Sequence, residues 1–258
     1  MIFASLLLSA APARVVSDNP CIDAILREVA RPGQVAAISS YSMNPRATSV
    51  PLAWARRHRA IGSTAEEVLA ERPDLFLTGV PAAPSTAAAV RRAGIRTLAL
   101  PVPQSIGESR AQVRLVARAV GNARAGEQLV ARIDEAAARA RAYRAHPVPA
   151  LVWSSGGLVP GAGSLVDDML RTAGFSSAAR GYGLTGWGVL PLERVMLQPP
   201  RVVLTALERG DPLARSLRGR ALARLGTRAH DFPDRLMFCG GPTIVDALAR
   251  LSSIRRTL

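Results

Sequence analysis

The chain has 258 residues, 48% hydrophobic and 4% aromatic, which is enough apolar material for a packed core and excludes a disordered or fibrous polymer. It carries 33 basic and 19 acidic side chains, a net charge of +14, and every basic residue is an arginine. Arginine spread over every segment of an alanine-rich chain is what GC-rich coding produces; without interleaved aromatics or a recognition motif it predicts no nucleic-acid partner, although its field favours anions.

Residues 1–13 read as a signal peptide, a short apolar run closing on the A-x-A pattern at Ala11 to Ala13 and too short to anchor in a bilayer. The run lacks a preceding basic residue, so a buried first strand is the alternative. Residues 14–103 then alternate short apolar runs with helical spacing, the pattern of βαβ units around a parallel sheet. Strands are predicted at 14–17, 34–39, 74–78 and 95–100. Helices are predicted after a cap at Asp18 or Asn19 with Pro20 in the first turn, from Thr64 to Glu71 with Ser63 or Thr64 as cap, and from Ser85 to Ala93, ended by Gly94.

Residues 104–146 carry almost no strand signal. A helix from Ala123 to about Arg144, with Leu129, Val130 and Ile133 on one stripe, would form a rod of about 30 Å. Alternation resumes over 147–258. It starts with a strand at 150–154 and the glycine-rich loop from Gly156 to Gly163. A helix capped by Ser164, a loop with Trp187, a helix from Leu192 to Leu197 and a strand at 201–205 follow. The chain ends in a helical segment, a strand at Leu236 to Phe238, a Cys239-Gly-Gly-Pro242 turn and a last helix from Thr243. The predicted fold class is α/β, with two lobes on central parallel sheets.

Two stretches superpose without gaps. Ala65-Glu-Glu-Val-Leu-Ala-Glu-Arg-Pro-Asp-Leu-Phe-Leu-Thr78 matches Leu192-Glu-Arg-Val-Met-Leu-Gln-Pro-Pro-Arg-Val-Val-Leu-Thr205. Each is a short helix, a proline that stops it and an apolar strand, and Glu66 and Glu193 stand at the same place. A recurring αβ corner explains the helix, proline and strand. It does not explain the paired acids.

With Ser39-Ser-Tyr-Ser42 and Trp187, these segments resemble the periplasmic binding proteins with a helical backbone that serve cobalamin and ferric-siderophore ABC importers, the cobalamin binders above all. The resemblance covers nearly the whole mature chain. It implies two Rossmann-like lobes joined by the rod, a ligand cleft between them, and Glu66 and Glu193 docking on the two subunits of a permease. Tyr41 and Trp187 match cleft aromatics. The segment Ala53-Trp-Ala-Arg-Arg-His-Arg59 lacks the family's aromatic ahead of the docking helix, a gap Trp54 could fill. The implied ligand is cobalamin or an iron chelate, with no intrinsic cofactor, a monomeric state and a periplasmic location.

Ligands of α/β lobes gather at the carboxyl ends of strands. That marks Cys21, Tyr41, Gly156, Gly157, Cys239 and Gly240 as ligand-contact candidates. The two cysteines form no CxxC pair, and His58, His146 and His230 lie far apart, so no ordinary zinc site is expected. The thiols could bridge, contact a ligand or stay free, and metal or thiol-ligand handling through them is the alternative function. No nucleophile elbow, Walker loop or GxGxxG turn is present, so an enzyme is not expected.

Overall fold

A computed structural model describes residues 11–45, 48–80, 83–141, 146–206, 220, 224 and 226–258. Most of the predicted signal peptide, the far end of the predicted rod at Arg144 and most of the helical segment after Thr205 lie outside these residues.

The first lobe is a parallel sheet of five strands in the order β3-β2-β1-β4-β5. Its strands are β1 (Val15–Ser17), β2 (Val35–Ser39), β3 (Arg59–Ile61), β4 (Leu75–Gly79) and β5 (Arg96–Leu100). Helices α1 (Pro20–Val29), α2 (Leu52–Ala55), α3 (Ala65–Ala70) and α4 (Pro84–Arg92) connect them. Asn19 starts α1, its side chain accepting from the Cys21 and Ile22 amides, and Pro20 supplies a preset φ. Thr64 and Glu67 close a capping box on α3.

The second lobe is a parallel sheet of four strands in the order β11-β10-β6-β8. It comprises β6 (Val148–Val152), β8 (Phe175–Ser177), β10 (Val202–Thr205) and β11 (Arg228–Asp231), with α7 (Leu165–Thr172), α8 (Leu192–Leu197) and the C-terminal α9 (Thr243–Arg255). An antiparallel ribbon of β7 (Leu158–Pro160) and β9 (Trp187–Val189) stands beside it.

Between the lobes run α5 (Ile106–Ala119) and α6 (Ala123–Ala140). Gly121 breaks the chain with φ 76°, and Asn122 caps α6 through the Ala125 amide. The 18 residues of α6 span about 27 Å. The helix buries Leu129, Val130, Ile133, Ala137 and Ala140. One apolar core runs through both lobes. Val15, Leu75 and Leu77 of the first sheet and Ala150, Val152, Val202 and Leu204 of the second belong to it, together with α1, α5, α6, α7 and α9. The alternate residues, Val16 and Phe76 in one sheet and Leu151 and Val203 in the other, fill separate outer cores. This is the two-sided burial a parallel sheet requires.

Two sequence expectations are corrected. Leu236 to Phe238 is not a strand: Asp234–Leu236 is a 3-10 turn, and the edge strand is β11. The glycine-rich loop and the Trp187 loop are not purely loops, since they hold β7 and β9.

The α5–α6 seam is tight at Gly126, where an added Cβ would lie 2.4 Å from the Ala117 methyl. Gly126→Leu is therefore expected to lower unfolding stability by about 1–3 kcal/mol through overpacking, read by urea unfolding. An unchanged midpoint would mean that the two helices part freely.

Candidate functional site

In the order β3-β2-β1-β4-β5 the connections reverse direction between β1 and β4, which opens a crevice at their carboxyl ends. A pocket of about 80 Å³ sits there. Asn19 and Cys21 line it from the start of α1, Val80 and Val102 from the ends of β4 and β5, and Phe238 and Gly240 from the segment that leaves the second lobe. Its volume is below the roughly 300–1,000 Å³ of a drug-sized ligand site, so it suits a substituent and not a whole macrocycle.

Cys21 and Cys239 form a disulfide across this wall. The bond fixes the first turn of α1 to the crossing segment ahead of α9. Of the three states open to the thiols, bridging is the one observed, and it lies at the pocket. Cys239 does not follow a strand as expected. It follows the 3-10 turn and reaches the first lobe because Gly240 and Gly241 lie flat on α5. The Gly241 amide donates to Ser109 Oγ at 2.7 Å, and a Cβ on Gly240 would sit 2.4 Å from that oxygen. Cys21 Sγ also lies 3.5 Å from the Phe238 carbonyl oxygen. A bridged sulfur carries no proton, so this is a packing contact.

Trp187 opens β9 and stacks on Phe238, with ring centroids 5.7 Å apart and planes 19° from parallel. The two rings stay 41% and 39% exposed, so they form a wall and not a core. Phe238 was not singled out in the sequence; its place beside Cys239 was the available signal. Tyr41, in the 3-10 turn Ser40–Met43 after β2, is 66% exposed. It lies at the carboxyl edge of the same sheet but is not a wall of the small pocket.

The remaining candidates are placed differently. Trp54 is half-buried on α2, packs beside Val50 and Ala55, and meets the His58 ring at 4.3 Å. Gly156 faces open space. The Gly157 carbonyl accepts from the Leu190 amide at 2.8 Å, tying the loop after β6 to the end of β9.

Glu66 and Glu193 are both exposed, each in the first turn of its helix, α3 or α8. Both helices run against their strands and so begin toward the carboxyl edge of a sheet. Glu67, not Glu66, makes the capping box, and α8 has no side-chain cap. Among the described residues, Glu66 and Glu193 are the only two acids with neither a hydrogen bond nor an ion pair.

Below Tyr41, Asp23 of α1 is fully buried. Its Oδ2 accepts from the Ser39 amide at 2.9 Å and from Ser42 Oγ at 2.6 Å. Oδ1 has no partner among the described residues. Ser17 is close, but its hydroxyl donates to the Asn19 carbonyl at 3.2 Å. Burial pushes the carboxyl from 3.8 up to about 7; the serine hydroxyls and the Ser39 amide oppose this, and the charge of Asp18 adds to it. Asp18 is itself raised, by burial first, against a bond from Thr78.

The family model of the periplasmic binding proteins matches residues 15–218. Among solved structures, the periplasmic heme-binding protein RhuT from Roseiflexus sp. RS-1 superposes with a TM-score of 0.76, at 24% identity over 94% of this chain and 98% of that one. The periplasmic heme-binding protein HutB of Vibrio cholerae gives 0.77, at 16% identity over 93% and 98%. The periplasmic vitamin B12 binding protein BtuF of Vibrio cholerae gives 0.75, at 15% identity over 96% and 98%. At these identities the likenesses establish the fold. No curated protein sequence matches the chain.

Two outcomes follow from this site. The disulfide closes a loop of sequence separation 218, so reduction, or a Cys21→Ser/Cys239→Ser variant, should cost on the order of 2–5 kcal/mol, measured by denaturant unfolding with and without a reductant. For Asp23 the folded pKa lies above the unfolded one, so its stabilising contribution is full below about pH 4 and is lost as pH rises through about 7. The stability of the wild type relative to Asp23→Asn should therefore fall across that window by roughly 2–4 kcal/mol; parallel stability curves would disprove the assignment.

Proposed function

The chain belongs to the periplasmic binding protein family, and we propose that it captures a cobalamin-like corrinoid or an iron chelate between its lobes and delivers it to an ABC importer in the periplasm. As a family member it is a substrate-binding protein and not an enzyme. The observation that carries the ligand reading is the half-exposed Trp187–Phe238 stack at the mouth of the crevice. A flat apolar wall rewards a ligand with a broad face, as a tetrapyrrole has, through burial and ring contact. Solved neighbours described as heme-binding and vitamin B12 binding proteins support the same chemistry.

Tyr41 contacts the ligand from the first lobe in this reading. The small pocket beside the disulfide takes a peripheral substituent. The lobes run from 14 to 103 and from 147 to 258, with the helical segment between them. Glu66 and Glu193 meet arginines on the two halves of a permease dimer, setting register and encounter more than affinity. The alternative, metal or thiol handling by Cys21 and Cys239, loses support in the bridged state because a disulfide offers no thiolate to a metal.

Titration of the purified protein with cyanocobalamin and with hemin, followed by tryptophan fluorescence, tests the ligand class. Saturable binding of one of them is expected, and Trp187→Ala or Tyr41→Ala should weaken it roughly 3- to 10-fold. Glu66→Arg and Glu193→Arg should leave binding unchanged and abolish uptake in cells that depend on the cognate importer. Failure of these two and of a ferric siderophore to bind would refute the ligand assignment, and unimpaired uptake with both reversals would refute the docking roles.

A further inference from the structure

The turn that carries Tyr41, the most exposed aromatic side chain among the described residues, hangs on an acid fully shielded from water. Ser39 and Ser42 bracket Tyr41, are themselves buried, and both bond to Asp23 Oδ2. Ser39 Oγ in turn accepts from the Tyr41 amide at 3.3 Å. We propose that Asp23 is the positioning residue for Tyr41: it holds the Ser40–Met43 turn in the conformation that presents the ring, and this hold is released when the carboxyl becomes wet and charged. The inference rests on the reading of Tyr41 as a ligand contact.

The surroundings leave the acid uncompensated. In a chain with 33 arginines, none pairs with Asp23 among the described residues, and the charge that acts on it is that of Asp18. From β3, Arg59 turns to Glu71. Over α2, the His58 ring is taken by the Trp54 carbonyl. On the exposed edge of α1, Glu28 is paired with Arg132 and Arg27. Apart from Arg132 on Glu28, the residues of α5 and α6 that share a core with α1 are apolar. A charged Asp23 therefore gains from two hydrogen bonds and loses its hydration.

Any motion that lifts the turn removes both donors and lets water in. A dry carboxyl keeps its proton to about pH 7, whereas a wet one loses it near 3.8. By linkage, raising the pH through about 7 must favour the lifted turn over the seated one. Seating of Tyr41, and with it ligand affinity, should be stronger on the acid side of neutrality.

Hydrogen–deuterium exchange of a peptide spanning the turn, corrected for the intrinsic pH dependence of exchange, reads the hold without any ligand. In the full-length wild type, protection should fall at least about threefold between about pH 6 and about pH 8. Asp23→Asn, which keeps an acceptor oxygen and does not titrate, should show a flat profile. Ser42→Ala keeps the acid and removes one donor; it should loosen the turn at every pH and move the midpoint upward. Parallel profiles for wild type and Asp23→Asn, or an unmoved midpoint in Ser42→Ala, would overturn the proposal. Parallel titrations with hemin and cyanocobalamin separate the two readings. If the exchange profiles follow expectation and neither compound binds, the positioning role stands and the tetrapyrrole reading of the ligand falls.

Discussion

The structure depends on one continuous apolar seam. Each parallel sheet must cover both faces, and each turns its inner face to the same set of helices. Leu75 and Leu77 in one lobe and Val202 and Leu204 in the other bury against a core that contains α1, α5, α6 and α9. A hinge that opened widely would expose that seam to water at about 25 cal/mol per Å². The lobes are consequently held at a fixed separation, and what moves has to be small: side chains, the ribbon and the turns at the carboxyl edges. A further tie is polar, since Asp168 of α7 accepts from the Ile106 amide at the start of α5 at 2.9 Å.

The cleft follows from the topology the seam imposes. Strands that run the same way in each sheet put all their carboxyl ends, and therefore their functional loops, at one edge. In the first lobe the reversal between β1 and β4 leaves a crevice that no connecting helix fills. The second lobe sends back the segment after β11, which crosses onto α1 and α5. Gly240 allows the close approach to Ser109, and the disulfide then makes the crossing permanent. Phe238 is carried along as its neighbour, and this is why an aromatic from one lobe stands over the helix start of the other.

How much of this was legible depended on burial. Where a strand is covered on both faces, as at Leu75–Gly79 or Val202–Thr205, its apolar run is visible in the sequence; Ser164 was visible as a cap, the caps at Asn19 and Thr64 were each one of two adjacent candidates, and Asn122 was visible only as the end of the preceding helix. The edge strand Arg228–Asp231 was not, because half-exposed positions carry arginine, histidine and aspartate and leave no apolar alternation. Leu236 to Phe238 misled in the opposite sense: Leu236 and Met237 are buried beneath a 3-10 turn, and a three-residue apolar run cannot distinguish that from a strand. The stack on Trp187 depended on Phe238, far away in the chain, and was beyond any local pattern. Asp23 was hidden for another reason: an acid in the first turn of a helix looks like a favourable surface residue, and only the serines folded over it reveal a buried one.

The repeat of α3–β4 and α8–β10 bears most directly on how the chain meets a partner. The helices start and stop, and the strands start, in the same register in both copies, and Val68 and Val195 are both fully buried. Packing accounts for that much. It does not account for an acid at the next-but-one position before each valine. With 33 arginines against 19 acids, an exposed carboxylate finds a partner readily, and Glu127, Asp134 and Glu135 have done so. Glu66 and Glu193 have none among the described residues. Two exposed carboxylates, at matching places in the repeat and each in the first turn of its helix, are left able to bind cations. In the docking proposed for Glu66 and Glu193, a two-fold basic surface on the partner would satisfy both carboxylates at once.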